Sequence, residues 1–167
     1  MNAQTASEPR ILKIATCPSL SGRASLTYHV GFRDERDLCF RIWDTSGKGI
    51  FSKEWVCAPE IQKVLGQHES LSAALLLPLF KVGRSINTAG FLLAALRNEG
   101  LVALDPEEAH KYVRVESQAF VAEMTELMKS GVSPDPGQVT AIRKTRRPGR
   151  VSPWHSEPQA GEPTQGA

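Results

Sequence analysis

The stretch Gly83–Val115, GRSINTAGFLLAALRNEGLVALDPEEAHKYVRV, decides how this chain folds. It opens with a turn. Ser85 or Asn87 can cap a helix running to about Asn98, with Ile86, Ala89, Leu92, Leu93 and Leu96 on one face. Gly100 supplies the left-handed stop that ends many helices. Two readings fit the next residues. In one, Asp105-Pro106-Glu107-Glu108 starts a long helix to Lys129, with a cap, a proline at the first position and acids in the first turn. In the other, Leu101–Leu104 is a strand, Asp105-Pro106 turns the chain, and Lys111–Val115 pairs back. Ser117 then caps a separate helix, 118–129. KYVRV alternates and is rich in strand formers, which favours the hairpin slightly.

Upstream, the pattern changes period. ILKIATC (residues 11–17) predicts a strand. SLTYHVGF (25–32) alternates Leu26, Tyr28 and Val30 with Thr27, His29 and Gly31. Arg33–Asp37 is a charged tip, and LCFRIW (38–43) returns as a strand, so the pair predicts a hairpin. Residues 44–49 form a turn cluster, and IFSKEWVC (50–57) is a fourth strand candidate. Pro59-Glu60 opens a short helix to Leu65. Ser70 is the expected cap for an apolar helix over residues 71–80, kinked or stopped by Pro78.

The expected fold class is therefore α+β. An N-terminal antiparallel meander (10–57) precedes a helical unit (58–130). Residues 1–9 are a loose N-terminus, and 131–167 are Pro/Gly/Ser-rich and expected to be disordered.

Composition excludes several classes. The chain has 167 residues, 41% hydrophobic and 23% charged, with a formal net charge of +2. That supports a folded core and gives no global field for nucleic acid or membrane. Cys17, Cys39 and Cys57 are too few and too scattered for a disulfide framework. Cys39 and Cys57 are expected as buried small hydrophobes in a reducing, cytoplasmic setting. The histidines (His29, His68, His110, His155) do not cluster, so no metal site or cofactor is expected. No secretory signal is visible, and the longest apolar run falls far short of the ~20 residues of a spanning helix.

LLAALRNEGLV, within residues 58–117, resembles the end of a recognition helix entering the first wing strand of winged helix-turn-helix domains. That resemblance implies a small DNA-binding regulator or accessory factor, with DNA preferred over RNA and a possible homodimer built on the apolar 71–96 segment. It implies that Ser85, Asn87, Thr88 and Arg97 lie on or beside the reading helix. Lys81 and Arg84 take phosphates in the turn, and Lys111 and Arg114 sit on the wing. The helix departs from the pattern in its few polar residues: Gly90, Phe91, Ala94 and Ala95 occupy the face that should read bases. The plain alternative is that both helices are core or interface elements, in a protein-interaction adaptor.

A basic run, Arg143, Lys144, Arg146, Arg147 and Arg150, puts five cations within eight residues of the tail. Each phosphate it neutralised on duplex DNA would add roughly −0.9 to the log–log salt slope. It equally suits a solubilising tail. The aromatic set Tyr28, Phe32, Phe40, Trp43, Phe51 and Trp55, beside Arg33, Arg41 and Lys53, could stack single-stranded RNA bases, or else form the core. Cys17–Ser25 lacks the glycine and lysine positions of a phosphate loop. Cys17 or Ser19 with His29 has no third orienting group, so no catalytic residue is assigned and an enzyme is not expected.

Overall fold

The computed structural model describes residues 7–34, 37–81 and 86–136. The protein is mixed α+β, an antiparallel meander followed by helices. Strands β1 (Arg10–Pro18), β2 (Ser25–Arg33), β3 (Asp37–Thr45) and β4 (Val56–Cys57) pair in that order. Arg33 pairs directly with Asp37. The expected fourth strand over 50–57 is reduced to its last two residues. The preceding segment docks on a helix instead: the Ser52 N–H donates to the Thr88 hydroxyl at 2.9 Å.

Helix α1 (Ala58–Gln67) begins without a break after β4, with Pro59 in its first turn, where the missing N–H costs nothing. The apolar run 71–80 does not form one helix. Leu71 makes an isolated bridge to Tyr112, Ser72 occupies the cap position, and α2 (Ala73–Leu76) tightens into a 3₁₀ turn (Leu77–Leu79) around Pro78. Helix α3 (Ile86–Asn98) ends as expected, with Gly100 at φ +77°.

Past Leu104 the chain turns back. Strands β5 (Val102–Leu104) and β6 (Tyr112–Arg114) form a hairpin. Asp105, the cap of the competing helical reading, instead accepts from the N–H groups of Glu107 and Glu108 in the turn. Helix α4 (Gln118–Ser130) is separate. The Ser117 hydroxyl caps it by accepting from the Phe120 N–H, and Gly131 closes it at φ +67°. Residues 131–136 do not all trail away, since the Ser133 hydroxyl donates to the Ile11 carbonyl at 3.0 Å.

The sheet is buried on both faces. Leu26, Tyr28 and Val30 on β2, with Phe40 and Ile42 on β3, face the helices and join Leu76, Leu92, Leu93, Leu96, Phe120 and Met124 in one core. Leu12 enters the same core because a register shift between Ile11 and Lys13 releases it from the pairing. The opposite face carries the alternate residues. Ile14 lies opposite His29, Ile11 opposite Gly31, and Gly31 opposite Cys39. Cys39 and Cys57, expected as free thiols, are joined by a disulfide. They sit opposite each other on β3 and β4, a juxtaposition the 18-residue separation does not advertise. Cys17 is the buried free cysteine.

The Trp55 indole packs against Gly31. A Cβ at that position would stand 2.6 Å from the indole and 3.1 Å from the Arg10 carbonyl. Gly31→Ala should therefore destabilise the protein by about 1–3 kcal/mol through overpacking, read as a lower urea midpoint with an unchanged slope.

Candidate functional site

The sequence-predicted nucleic-acid residues do not converge on one face of α3. Asn87 and Arg97 are exposed near its two ends. Thr88 is fully buried and turned inward to receive the Ser52 N–H. Between them Leu92, Leu93, Ala94, Ala95 and Leu96 are all buried. Gly90 and Phe91 are half-buried, with Phe91 edge-on against Phe51. A helix that is to enter a groove needs a free polar face, and in α3 that face is taken by the sheet and the 46–55 loop. Asn98 donates to the Tyr28 hydroxyl at 2.7 Å, closing the same contact at the other end.

Lys81 is exposed. Lys111 is half-buried on the hairpin, and Arg114 is exposed and within 3.8 Å of Glu116. Arg84, Ser85 and the tail residues Arg143, Lys144, Arg146, Arg147 and Arg150 lie outside the described residues. Much of the apolar 71–96 segment, expected as a dimer face, packs within the chain among the described residues. Leu71, Leu76, Phe80, Leu92, Leu93 and Leu96 are buried, while Ile86 is 54% exposed.

Two polar clusters are built to hold elements together. On the helix side, the Lys13 ammonium contacts Glu99 and Glu123, each at 2.9 Å. The Tyr28 hydroxyl donates to the other Glu99 oxygen at 2.5 Å. Burial works to lower the Lys13 pKa, but its bonds to Glu123 and Glu99 outweigh that, and the ammonium lies above its ordinary value. Burial, with the Glu99 charge, raises the Tyr28 phenol. This network ties β1 and β2 to α3 and α4.

On the far face of the sheet, the Arg41 guanidinium lies 4.7 Å from the Trp43 ring and 4.4 Å from the Trp55 ring. Its Nε donates to His29 Nδ1 at 3.1 Å, and it pairs with Glu8 at 3.0 Å. His29 also stacks on Trp43, and the Lys53 ammonium stands 4.4 Å from the same ring. The indoles expected as base platforms are thus engaged by the chain's own cations and imidazole. Tyr28 and Phe40 are core residues, and Phe51 packs on Phe91.

The described residues also enclose a half-open apolar cleft of about 510 Å³. Leu38 and Phe40 of β3 line it, with Ile61 and Leu65 of α1 and Phe120 and Val121 of α4. Arg114, Glu116, Ser117 and Gln118 contribute polar groups from the β6–α4 junction. The sequence reading missed it because its walls come from three separated segments, each of which reads as ordinary core. Among the described residues no group of His, Cys, Asp and Glu could hold a metal ion, and no helix is long and apolar enough to cross a membrane. No protein-family model, curated protein or solved structure matches this chain.

His29 gives the fold a pH dependence. Burial, reinforced by the positive charges of Arg41 and Lys53, lowers its pKa to about 4. The unfolded chain, with an ordinary imidazole near 6.5, takes up the proton first. The stabilisation is complete above that value and is lost as the pH falls through the window to about 4. Urea titrations should show a loss on the order of 3 kcal/mol across it, and His29→Gln should flatten the slope.

Proposed function

We propose that this protein is a non-enzymatic interaction module, and that its cleft receives apolar side chains of a partner polypeptide. The cleft itself carries the reading. Its volume lies within the range of ligand sites, and its lining is mostly apolar with a few polar groups. Such surface is normally covered in a soluble chain, and exposed apolar area rimmed by polar residues marks interaction sites. Val121 is 61% exposed on its rim and Val115 also lies open there.

The frame around the cleft is that of a winged helix in our reading. The order α1, bridged Leu71, α2, α3, β5–β6 hairpin supports it, since the Leu71–Tyr112 bridge sets a third chain segment beside the wing. With α3 enclosed, such a frame serves for binding protein rather than for reading bases. Titration with the apolar dye anilinonaphthalene sulfonate should show one saturable site. Val121→Asp, a change on an exposed rim, should weaken dye binding about tenfold, corresponding to roughly 1.4 kcal/mol, while leaving the circular dichroism unchanged. Equal affinity in the two proteins would remove the cleft from consideration.

A second reading, a DNA-binding regulator or accessory protein, is favoured by the hairpin itself, which presents Lys111 and Arg114. Here duplex DNA is held by wing and tail through phosphates, without base contacts from α3. Filter binding against salt tests it. Replacing Arg143, Lys144, Arg146, Arg147 and Arg150 with Gln should make the log–log slope shallower by roughly 0.9 for each phosphate that the tail no longer neutralises. Lys111→Ala with Arg114→Ala should then abolish the remaining binding. No measurable retention of DNA by the unaltered chain would end this reading.

A further inference from the structure

The Cys39–Cys57 bridge stands next to residues that line the cleft. Cys39 lies between Leu38 and Phe40, which form part of the cleft's lining, and Cys57 immediately precedes Ala58, which also lines it. The bridge therefore ties the β3 wall to the start of the α1 wall. Little else does so at that point. β4 is two residues long, with the register pairs Cys39–Cys57 and Phe40–Val56. Cys57 is also the cap residue of α1 and makes no capping hydrogen bond through its side chain. Once past Ala58, α1 is held by the burial of Ile61 and Leu65.

We propose that thiol–disulfide exchange at Cys39–Cys57 regulates the affinity of the cleft for its apolar guest, the bridged form binding more tightly. The inference rests on the binding role assigned to the cleft above. The co-reactant is a dithiol reductant. Its thiolate attacks the sulfur of Cys57, the less deeply buried of the two residues, 7% exposed against 0% for Cys39. The Cys39–Cys57 bond breaks as a mixed disulfide forms, and Cys39 leaves as a thiolate and is protonated. The second thiol of the reductant then displaces Cys57, giving a second protein thiol and the oxidised reductant. Two electrons pass to the protein, and β4 is left with its backbone pairing and the burial of Val56. The third cysteine does not compete. Cys17 lies on the helix side of the sheet, and burial, with the Glu99 charge, pushes its thiol up to about 11, so that it carries little thiolate.

The test uses the full chain in three states: as bridged, reduced with dithiothreitol, and reoxidised. Thiols are counted with Ellman's reagent in denaturant, dye affinity is measured by titration, and amide exchange is followed across residues 58–65. The expected result is one thiol in the bridged form and three in the reduced form. Reduction should weaken dye affinity at least fivefold and speed exchange at the start of α1, and reoxidation should reverse both. Three thiols in the chain under oxidising conditions would overturn the proposal, as would equal dye affinity and unchanged exchange in bridged and reduced forms. Global loss of circular dichroism on reduction would also overturn it, leaving the bridge a structural staple. Absence of dye binding in the bridged form would instead defeat the cleft reading, and this proposal with it.

Discussion

Helix α3 carries Leu92, Leu93, Ala94, Ala95 and Leu96 in succession, all buried, and a helix apolar on every side is stable only with protein around it. The sheet supplies one cover through Tyr28, Phe40 and Ile42, and α2 and the 3₁₀ turn supply another through Leu76 and Phe80. Everything else follows this enclosure. The 46–55 loop gives up strand pairing to lay Ser52 and Phe51 on α3. The Lys13–Glu99–Tyr28 network closes the C-terminal end, where the helix backbone runs out and polar groups enter the core. A buried acid of this kind is tolerable because each Glu99 oxygen has a partner, one of them an ammonium.

The same enclosure limits what α3 can present: its central residues are used internally. Among the described residues, the cleft beside α1 and α4 and the β5–β6 hairpin are left more open. The cleft lies against α4, which packs by Phe120 and Met124 and lends Phe120, Val121 and Ala122 to the lining. On the far face of the sheet the aromatics and cations contact one another: Arg41 lies close to both indoles, His29 stacks on Trp43, and Lys53 stands near the same ring. His29 Nδ1 accepts from Arg41, so its proton resides on Nε2, which is buried without a partner among the described residues. That arrangement suits a neutral imidazole and penalises a charged one.

Local chemistry was legible wherever one short segment carries its own instructions. The alternation in residues 25–32, the turn residues after Thr45, the glycine stop at Gly100 and the Ser117 cap each act within a few residues, and each stands where the sequence placed it. The hairpin at 101–115 was the harder case, because Asp105-Pro106 is an equally good helix start. It was decided by Tyr112, whose burial and bridge to Leu71 reward pairing with a distant segment. The expected helix over 71–80 failed for the complementary reason: Leu71 gains more from that bridge than from a first helical turn cut short by Pro78.

The sequence by itself determined the α+β class, the meander, the glycine stop of α3 and the cap of α4, since these depend on periodicity and on residue types a few positions apart. Tertiary structure alone decided that Cys39 meets Cys57, that Thr88 turns inward, that the tryptophans are occupied, and that a cleft opens between β3, α1 and α4. Each of those depends on which distant segments become neighbours, and neighbours are chosen by the register and layer packing of the whole chain, which no local pattern encodes.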